Sequence, residues 1–168
     1  MFLKFNKNLY NKMLLIENYK NIREIPIISN TVLHFGLKSA SQNSKIILSG
    51  LLALNIVGKQ KSVITYSTKS VMLLKIKGGQ AVGCKINLSK GNSYNFIINY
   101  IIFFINKKYN IINNKITNRS ITIKIDKLFY FKKLEYFYEN FEELPFLNIT
   151  INTNKVGNKN LYALLHII

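Results

Sequence analysis

The chain has 168 residues, 48% of them apolar, with 24 lysines and arginines against seven acids, a net charge of +17. That length supports one hydrophobic core, and self-repulsion of this size destabilises a compact chain unless a polyanion neutralises it, which excludes an ordinary soluble enzyme. The single cysteine, Cys84, excludes an intramolecular disulfide, and His34 and His166 alone cannot make a structural zinc site.

Residues 3–17 alternate Lys and Asn and then place Leu9, Met13 and Ile16 near helical spacing, which predicts a basic amphipathic N-terminal helix within 1–18. Tyr19 to Pro26 is a connector, and Pro26 opens extended chain. Ile27 to Phe35 reads as a strand with Thr31, Leu33 and Phe35 on one face, Val32 and His34 on the other, ended by Gly36. Ser41, Asn43 and Ser44 offer N-caps for a helix through Val57, with Ile47, Leu51 and Leu54 inward and a stop at Gly58.

Residues 58–91 hold seven lysines, five glycines and no acid between two alternating arms, a basic β-hairpin suited to a polyanion. In its second arm Val82, Cys84, Ile86 and Leu88 share one face, and Gly83, Lys85, Asn87 and Ser89 the other. The tip, Lys69 to Gln80, mixes Val71, Met72, Leu73 and Leu74 with Lys69, Lys75, Lys77 and the pair Gly78–Gly79. It reads as a loop ordered by its partner, against a plain hairpin whose leucines pack under the sheet.

Asn92 or Ser93 caps the next helix, with Phe96, Tyr100, Ile101 and Phe104 inward and an end near Asn106. Its apolar run, 96–105, is about half the roughly 20 residues that span a bilayer, so it is a core helix and not an anchor. Residues 107–118 form a basic polar connection with no assigned shape. Ile121, Ile123 and Ile125 alternate with Thr122 and Lys124 in a strand. Residues 128–144 combine aromatics with Glu135, Glu139, Glu142 and Glu143, a solvated acidic face without the nucleophile or histidine that catalysis requires. Pro145 opens a last strand, Leu147, Ile149 and Ile151 inward and Asn148, Thr150 and Asn152 outward, and residues 158–167 read as a closing helix.

These elements predict one α+β domain over 1–168: a mostly antiparallel sheet with helices packed on one face, the other face basic and polar, and a long basic β-hairpin. The outward set is Lys85, Asn87, Ser89, Thr122, Lys124, Asn148, Thr150 and Asn152, the donors that meet phosphates and ribose 2′-OH groups. Gly78–Gly79 lacks the Lys-Ser/Thr of a phosphate-binding loop, and no aromatic RNA-recognition motif is present. Recognition of folded RNA by shape and backbone remains, through lysine point charges. No catalytic residue, cofactor or metal is expected; the alternatives are a basic peripheral protein of an anionic membrane surface and, last, an enzyme.

The charge is concentrated: residues 1–125 hold 19 basic side chains and two acids, Glu17 and Glu24, whereas residues 126–168 hold five of each. Only Arg23 and Arg119 are arginine, and the wealth of Ile, Asn, Lys, Tyr and Phe is that of A+T-rich codons. With no Arg- and Ser-rich transit segment at the N-terminus, this points to synthesis inside an organelle, with an A+T-rich bacterium or a processed import product as alternatives.

Three ordered blocks also carry a family resemblance. The run AVGCKINLSKG, residues 81–91, resembles the I-G-C-K-V-T-L-R-G segment of large-subunit ribosomal protein number five, the family that binds 5S rRNA. KQKSVITYSTKS, residues 59–70, is similar to its G-Q-K-P-x-x-T-x-A-x-K-S, and residues 18–40 follow its N-Y-x-x-x-x-x-V-P-x-x-x-x-I-x-x-N-M-G-x-G-x-A. The last third matches loosely. The resemblance implies the same architecture and a place in the central protuberance, with large-subunit rRNA, neighbouring ribosomal proteins and, where the organelle has one, 5S rRNA as partners. It further implies a hairpin tip reaching P-site tRNA and a bridge to a small-subunit head protein. With the composition it identifies a mitochondrial, organelle-encoded form in the matrix mitoribosome, without membrane insertion.

The family's three polar residues on the RNA side of the sheet fall by register on His34, Gln60 and Asn87, so only the glutamine is kept, and Ser89 stands where the last motif has arginine. The implied rRNA-binding set is His34, Gln60 and Asn87 with Lys59, Lys61, Lys85 and Lys90. The tRNA-facing loop is Lys69, Ser70, Lys75, Lys77, Gly78 and Gly79.

Overall fold

Six extended segments of the described residues join into one sheet. The computed structural model describes residues 27–37, 45–101, 111–117, 119–126 and 128–154. The expected N-terminal helix, the caps at 41–44, Phe104 and the closing helix lie outside these residues. The strands are β1 (Ile28–Gly36), β2 (Val63–Tyr66), β3 (Ala81–Ser89), β4 (Ile111–Thr117), β5 (Ser120–Ile125) and β6 (Leu147–Thr153). All neighbours are antiparallel, in the order β2-β3-β1-β6-β5-β4. Helices α1 (Lys45–Gly58), α2 (Lys90–Phe96), α3 (Lys132–Glu135) and α4 (Tyr138–Phe141) accompany it.

One sheet face is the core. Leu33 and Phe35, Cys84, Ile86 and Leu88, Ile121, Ile123 and Ile125, and Leu147, Ile149 and Ile151 are all buried there, as the alternation predicts. The α+β class, the antiparallel sheet and the helices on one face are therefore as expected.

Helix α1 lies on β3, but its buried strip is turned from the expected one. Ile46, Gly50, Ala53, Leu54 and Val57 are buried, while Ile47 and Leu51 are only partly covered. Close approach is the reason: a Cβ on Gly50 would stand 2.8 Å from Cys84 Sγ and 3.2 Å from Leu37 Cδ1. The same packing desolvates the Cys84 thiol, whose pKa is pushed up to about 12, so this cysteine is an inert core residue.

Helix α2 begins at Lys90, ahead of the expected cap at Asn92 or Ser93, and Ser93 has another task. Its buried hydroxyl accepts the Thr31 N–H at 3.1 Å and donates to the Leu88 carbonyl at 2.6 Å, bridging the ladder where Thr31 faces Leu88. Ser93→Ala leaves both backbone groups buried without that bridge and is expected to cost about 2 kcal/mol. The neighbouring Thr31 Oγ1 is buried without a partner, so Thr31→Val should be neutral or stabilising. Urea midpoints of the two variants should move in opposite directions or differ by that amount; equal midpoints would refute the bridging role.

After Phe96 the backbone widens into a π-turn, Ile97–Ile101, so the expected single helix is two pieces. Phe96 and Ile97 are buried, and the Phe96 ring stacks 6.4 Å from Phe131. The unassigned 107–118 stretch contains β4, which among the described residues is an edge strand paired with β5, its register slipping between Ile112 and Lys115. Helices α3 and α4 pack against α1, with Leu134, Phe141 and Leu144 beneath them.

Candidate nucleic-acid interface

Register places the other sheet face in three transverse rows. The first is Val63, Lys85, His34, Asn148 and Lys124; the second is Asn87, Val32, Thr150 and Thr122; the third is Ser89, Asn30, Asn152 and Ser120. Residues facing each other across strands point to the same side. All eight side chains expected to face outward therefore share this surface, none of them buried. Among the described residues, none of the three rows contains a carboxylate.

The polar groups are held in place by one another. Asn152 Nδ2 donates to Asn30 Oδ1 at 3.0 Å, and the hydroxyls of Thr122 and Thr150 lie 3.2 Å apart. This fixes which amide and hydroxyl atoms remain directed outward, so less side-chain freedom is lost when a ligand docks. His34 is half-buried, and burial first, then the charge of Lys85, holds its pKa below the ordinary value. The imidazole is consequently neutral at pH 7 and offers one donor and one acceptor.

Close strand approach supports this row. A Cβ on Gly83 would sit 2.4 Å from the Phe35 carbonyl oxygen, 3.0 Å from Thr65 Oγ1 and 3.4 Å from His34 Nε2. The glycine thus gives His34 and Lys85 their places in the first row.

Of the expected rRNA-binding residues, the sheet brings together His34, Lys85 and Asn87. Lys59, Gln60 and Lys61 lie instead in the connection from α1 to β2, with Gln60 half-buried and the two lysines exposed. Lys59 has φ 53° and lines a small cleft with Asn92, Asn95 and Asn99 of the helix layer. Lys61 precedes Val63, which pairs with Lys85, so the chain there runs toward the Asn87 end of β3. Lys90 is the first residue of α2. Sequence reasoning left Asn30, Val32 and Ser120 out of the collected face; their parity with His34 and Thr122 was the available signal.

Backbone hydrogen bonds close the hairpin tip. Ser67 and Gln80 close it, Ser67 N–H donating to the Gln80 carbonyl at 2.8 Å and Gly79 N–H to the Ser67 carbonyl at 2.8 Å. Beyond them Val71 and Ile76 exchange backbone bonds of 2.9 and 3.2 Å around a short turn, Met72–Leu74. Lys69, Ser70, Lys75, Lys77, Gly78 and Gly79 are all exposed around it. The leucines do not tuck under the sheet.

At the far side of the helix layer, Tyr136, Phe137, Tyr138 and Phe146 are exposed beside Glu135, Glu139, Glu142 and Glu143. Tyr138 donates to Glu142 at 3.0 Å and packs its ring 4.4 Å from that of Phe129. No group of three metal-ligating side chains occurs among the described residues, and no helix there is long and apolar enough to cross a membrane.

Fold and surface together define a class: a basic α+β domain with a polyanion-compatible sheet face opposite its helices. No family model matches the chain. Individual relatives do. Large ribosomal subunit protein uL5 of Malacoplasma penetrans (strain HF-2) is 31% identical over 166 residues, covering 96% of this chain and 88% of the relative. The uL5 of Geotalea daltonii is 29% identical over 170 residues, 98% of this chain and 93% of the relative. That of Clostridium perfringens (strain SM101 / Type A) is 36% identical over 94 residues, 56% and 52% of the two chains. The chain belongs to the large ribosomal subunit protein uL5 family, which is ribosomal and not enzymatic.

Proposed function

We propose that this chain is a structural RNA-binding protein of the large ribosomal subunit that lays its open sheet face on rRNA. The observation that carries the reading is the three-row face of lysines, amides and hydroxyls without a carboxylate. Lysines neutralise phosphates, and amides and hydroxyls bond ribose and base edges. His34, Lys85 and Asn87 are the centre of the contact, and Lys59, Gln60, Lys61 and Lys90 extend it along one border. 5S rRNA, where the organelle has one, is the RNA that the three resembling sequence blocks favour for this border.

The loop 69–80 is the element we assign to P-site tRNA, supported by its three lysines and its projection from the sheet edge. For the small-subunit head protein, the acidic aromatic surface around Tyr136 to Glu143 fits a basic segment of a protein partner better than it fits RNA. The A+T-coded composition supports a mitochondrial, organelle-encoded form, and the three resembling sequence blocks favour a place in the central protuberance.

Salt titration tests the RNA reading. If Lys59, Lys61, Lys85, Lys90 and Lys124 each neutralise one phosphate, log affinity for a large-subunit rRNA fragment should fall against log salt with a slope of about −3.5 to −4.5. Filter binding of the full chain measures it. A flat response, or equal binding to anionic vesicles without RNA, refutes the reading in favour of a membrane-surface protein.

A further inference from the structure

His34 stands in the first row opposite Lys85 on β3 and Asn148 on β6, with Lys124 next beyond Asn148. The outward positions that follow toward the end of the sheet are Thr65, Gly83 and Gly36, so two of the three carry no side chain. The imidazole borders this gap. Its Nε2 is 3.4 Å from where a Cβ on Gly83 would stand, and its Cε1 is 3.8 Å from the corresponding point on Gly36. The Gly83 side is closed: Thr65 Oγ1 lies 3.0 Å and the Phe35 carbonyl oxygen 2.4 Å from its point, and Gly83 is buried. The open ground is over Gly36, which is exposed and meets only the imidazole within 4 Å. Lys85 is diagonal to Gly36 across the β1–β3 ladder, within the span of a long side chain.

We propose that this seat takes one phosphate of the bound RNA and that His34 acquires a proton from solvent as the phosphate settles, so that rRNA is held more tightly in acid. The proposal deepens the reading of the sheet face as an rRNA surface and rests on it. The groups that face the imidazole are Lys85 from β3, Asn148 from β6, and Val63 and Thr65 from β2, with Lys124 of β5 beyond Asn148. Among the described residues, neither the first row nor the row of Thr65, Gly83 and Gly36 holds a carboxylate. Nothing in the free chain therefore stabilises an imidazolium, and burial, with Lys85 second, keeps the ring neutral. A docked phosphate reverses this. It offsets the charge of Lys85 and accepts a charge-assisted hydrogen bond from the ring N–H.

The sign of the effect follows from the two states. The imidazole pKa is held low in the free chain and rises in the complex. The gain in affinity from the proton is therefore complete below the free value and fades as pH climbs through the bound value. Histidine is the side chain whose ordinary pKa lies in this range, whereas lysine titrates near pH ~10 and adds no slope there.

The test measures binding of the full chain to a large-subunit rRNA fragment at fixed salt. Affinity should rise about tenfold from about pH 8 to about pH 5.5, the effect of one unit of pKa rise on binding. His34→Asn, whose amide forms hydrogen bonds but does not titrate, should bind like the parent at the upper pH and gain nothing in acid. The His34 ring-proton resonances, identified by their loss in this variant, should titrate at higher pH in the complex than in the free chain. That measurement is made on the parent, so it decides the matter even if the variant folds poorly. The variant keeps His166, so a proton taken up there or by the RNA would give both proteins the same slope and overturn the proposal. A parent whose affinity is flat in pH also overturns it, while a steep salt response leaves the rRNA reading standing. If neither protein binds the fragment at any pH, both readings fail. Inorganic phosphate alone should leave the resonances unmoved; a shift equal to that given by RNA would make the seat a small-anion site and overturn its assignment to rRNA.

Discussion

Gly83→Val is expected to prevent the sheet from closing. The position where a side chain would begin is 2.4 Å from the Phe35 carbonyl oxygen, a backbone atom that cannot rotate away. Strand β1 must shift, and the pairs His34↔Lys85, Phe35↔Cys84 and Gly36↔Gly83 shift with it. Overpacking of a rigid site costs about 1–3 kcal/mol, and lost ladder bonds add about 1 kcal/mol each. The sum approaches the ~5–15 kcal/mol that holds a whole domain. Urea unfolding should show a collapse of the midpoint, whereas Gly91→Ala, where an added Cβ meets nothing within 4 Å, should leave it unchanged or raised. A Gly83 variant as stable as the parent would show that the β1–β3 contact is looser than described.

Lys85→Glu/Lys124→Glu should reduce affinity for large-subunit rRNA about a hundredfold at physiological salt, with the unfolding midpoint unchanged. Both side chains are exposed on the first row, on either side of His34 and Asn148, so reversal places two anions where phosphates would dock. Lys132→Glu/Lys133→Glu changes the net charge equally on the helix layer and serves as the control. If both pairs weaken binding alike, net charge governs the interaction and the sheet face has no special part in it.

Much of this face is legible in the sequence because apolar alternation is regular in β3, β5 and β6, where the inward residues are Val, Cys, Ile or Leu except for Thr153 at the end of β6. One strand escaped. In β4 the pair Asn113–Asn114 disfavours extended chain, and the slip between Ile112 and Lys115 breaks the parity that would reveal it. An edge strand tolerates both, since it answers to one neighbour only. The orientation of α1 is off for a different reason: Ile47 and Leu51 read as inward with Leu54, but closest approach to Cys84 is made by Gly50, so Leu54 is buried while Ile47 and Leu51 are only partly covered. Sequence register carries the family's polar positions onto His34, Gln60 and Asn87; the sheet places His34 and Asn87 in adjacent rows, while Gln60 lies in the connection from α1 to β2.

The strand order has a consequence for timing. Strand β6, the last among the described residues, lies between β1, the first of them, and β5. Until Leu147 to Thr153 has left the ribosome that is synthesising it, β1 lacks one neighbour and the three rows are split into two unconnected halves. Pairings between such distant segments form late and slowly. A nascent chain therefore cannot present the complete surface, and a truncated product ending before residue 147 should be a poor competitor for rRNA, so that only finished copies compete for a place in the growing subunit.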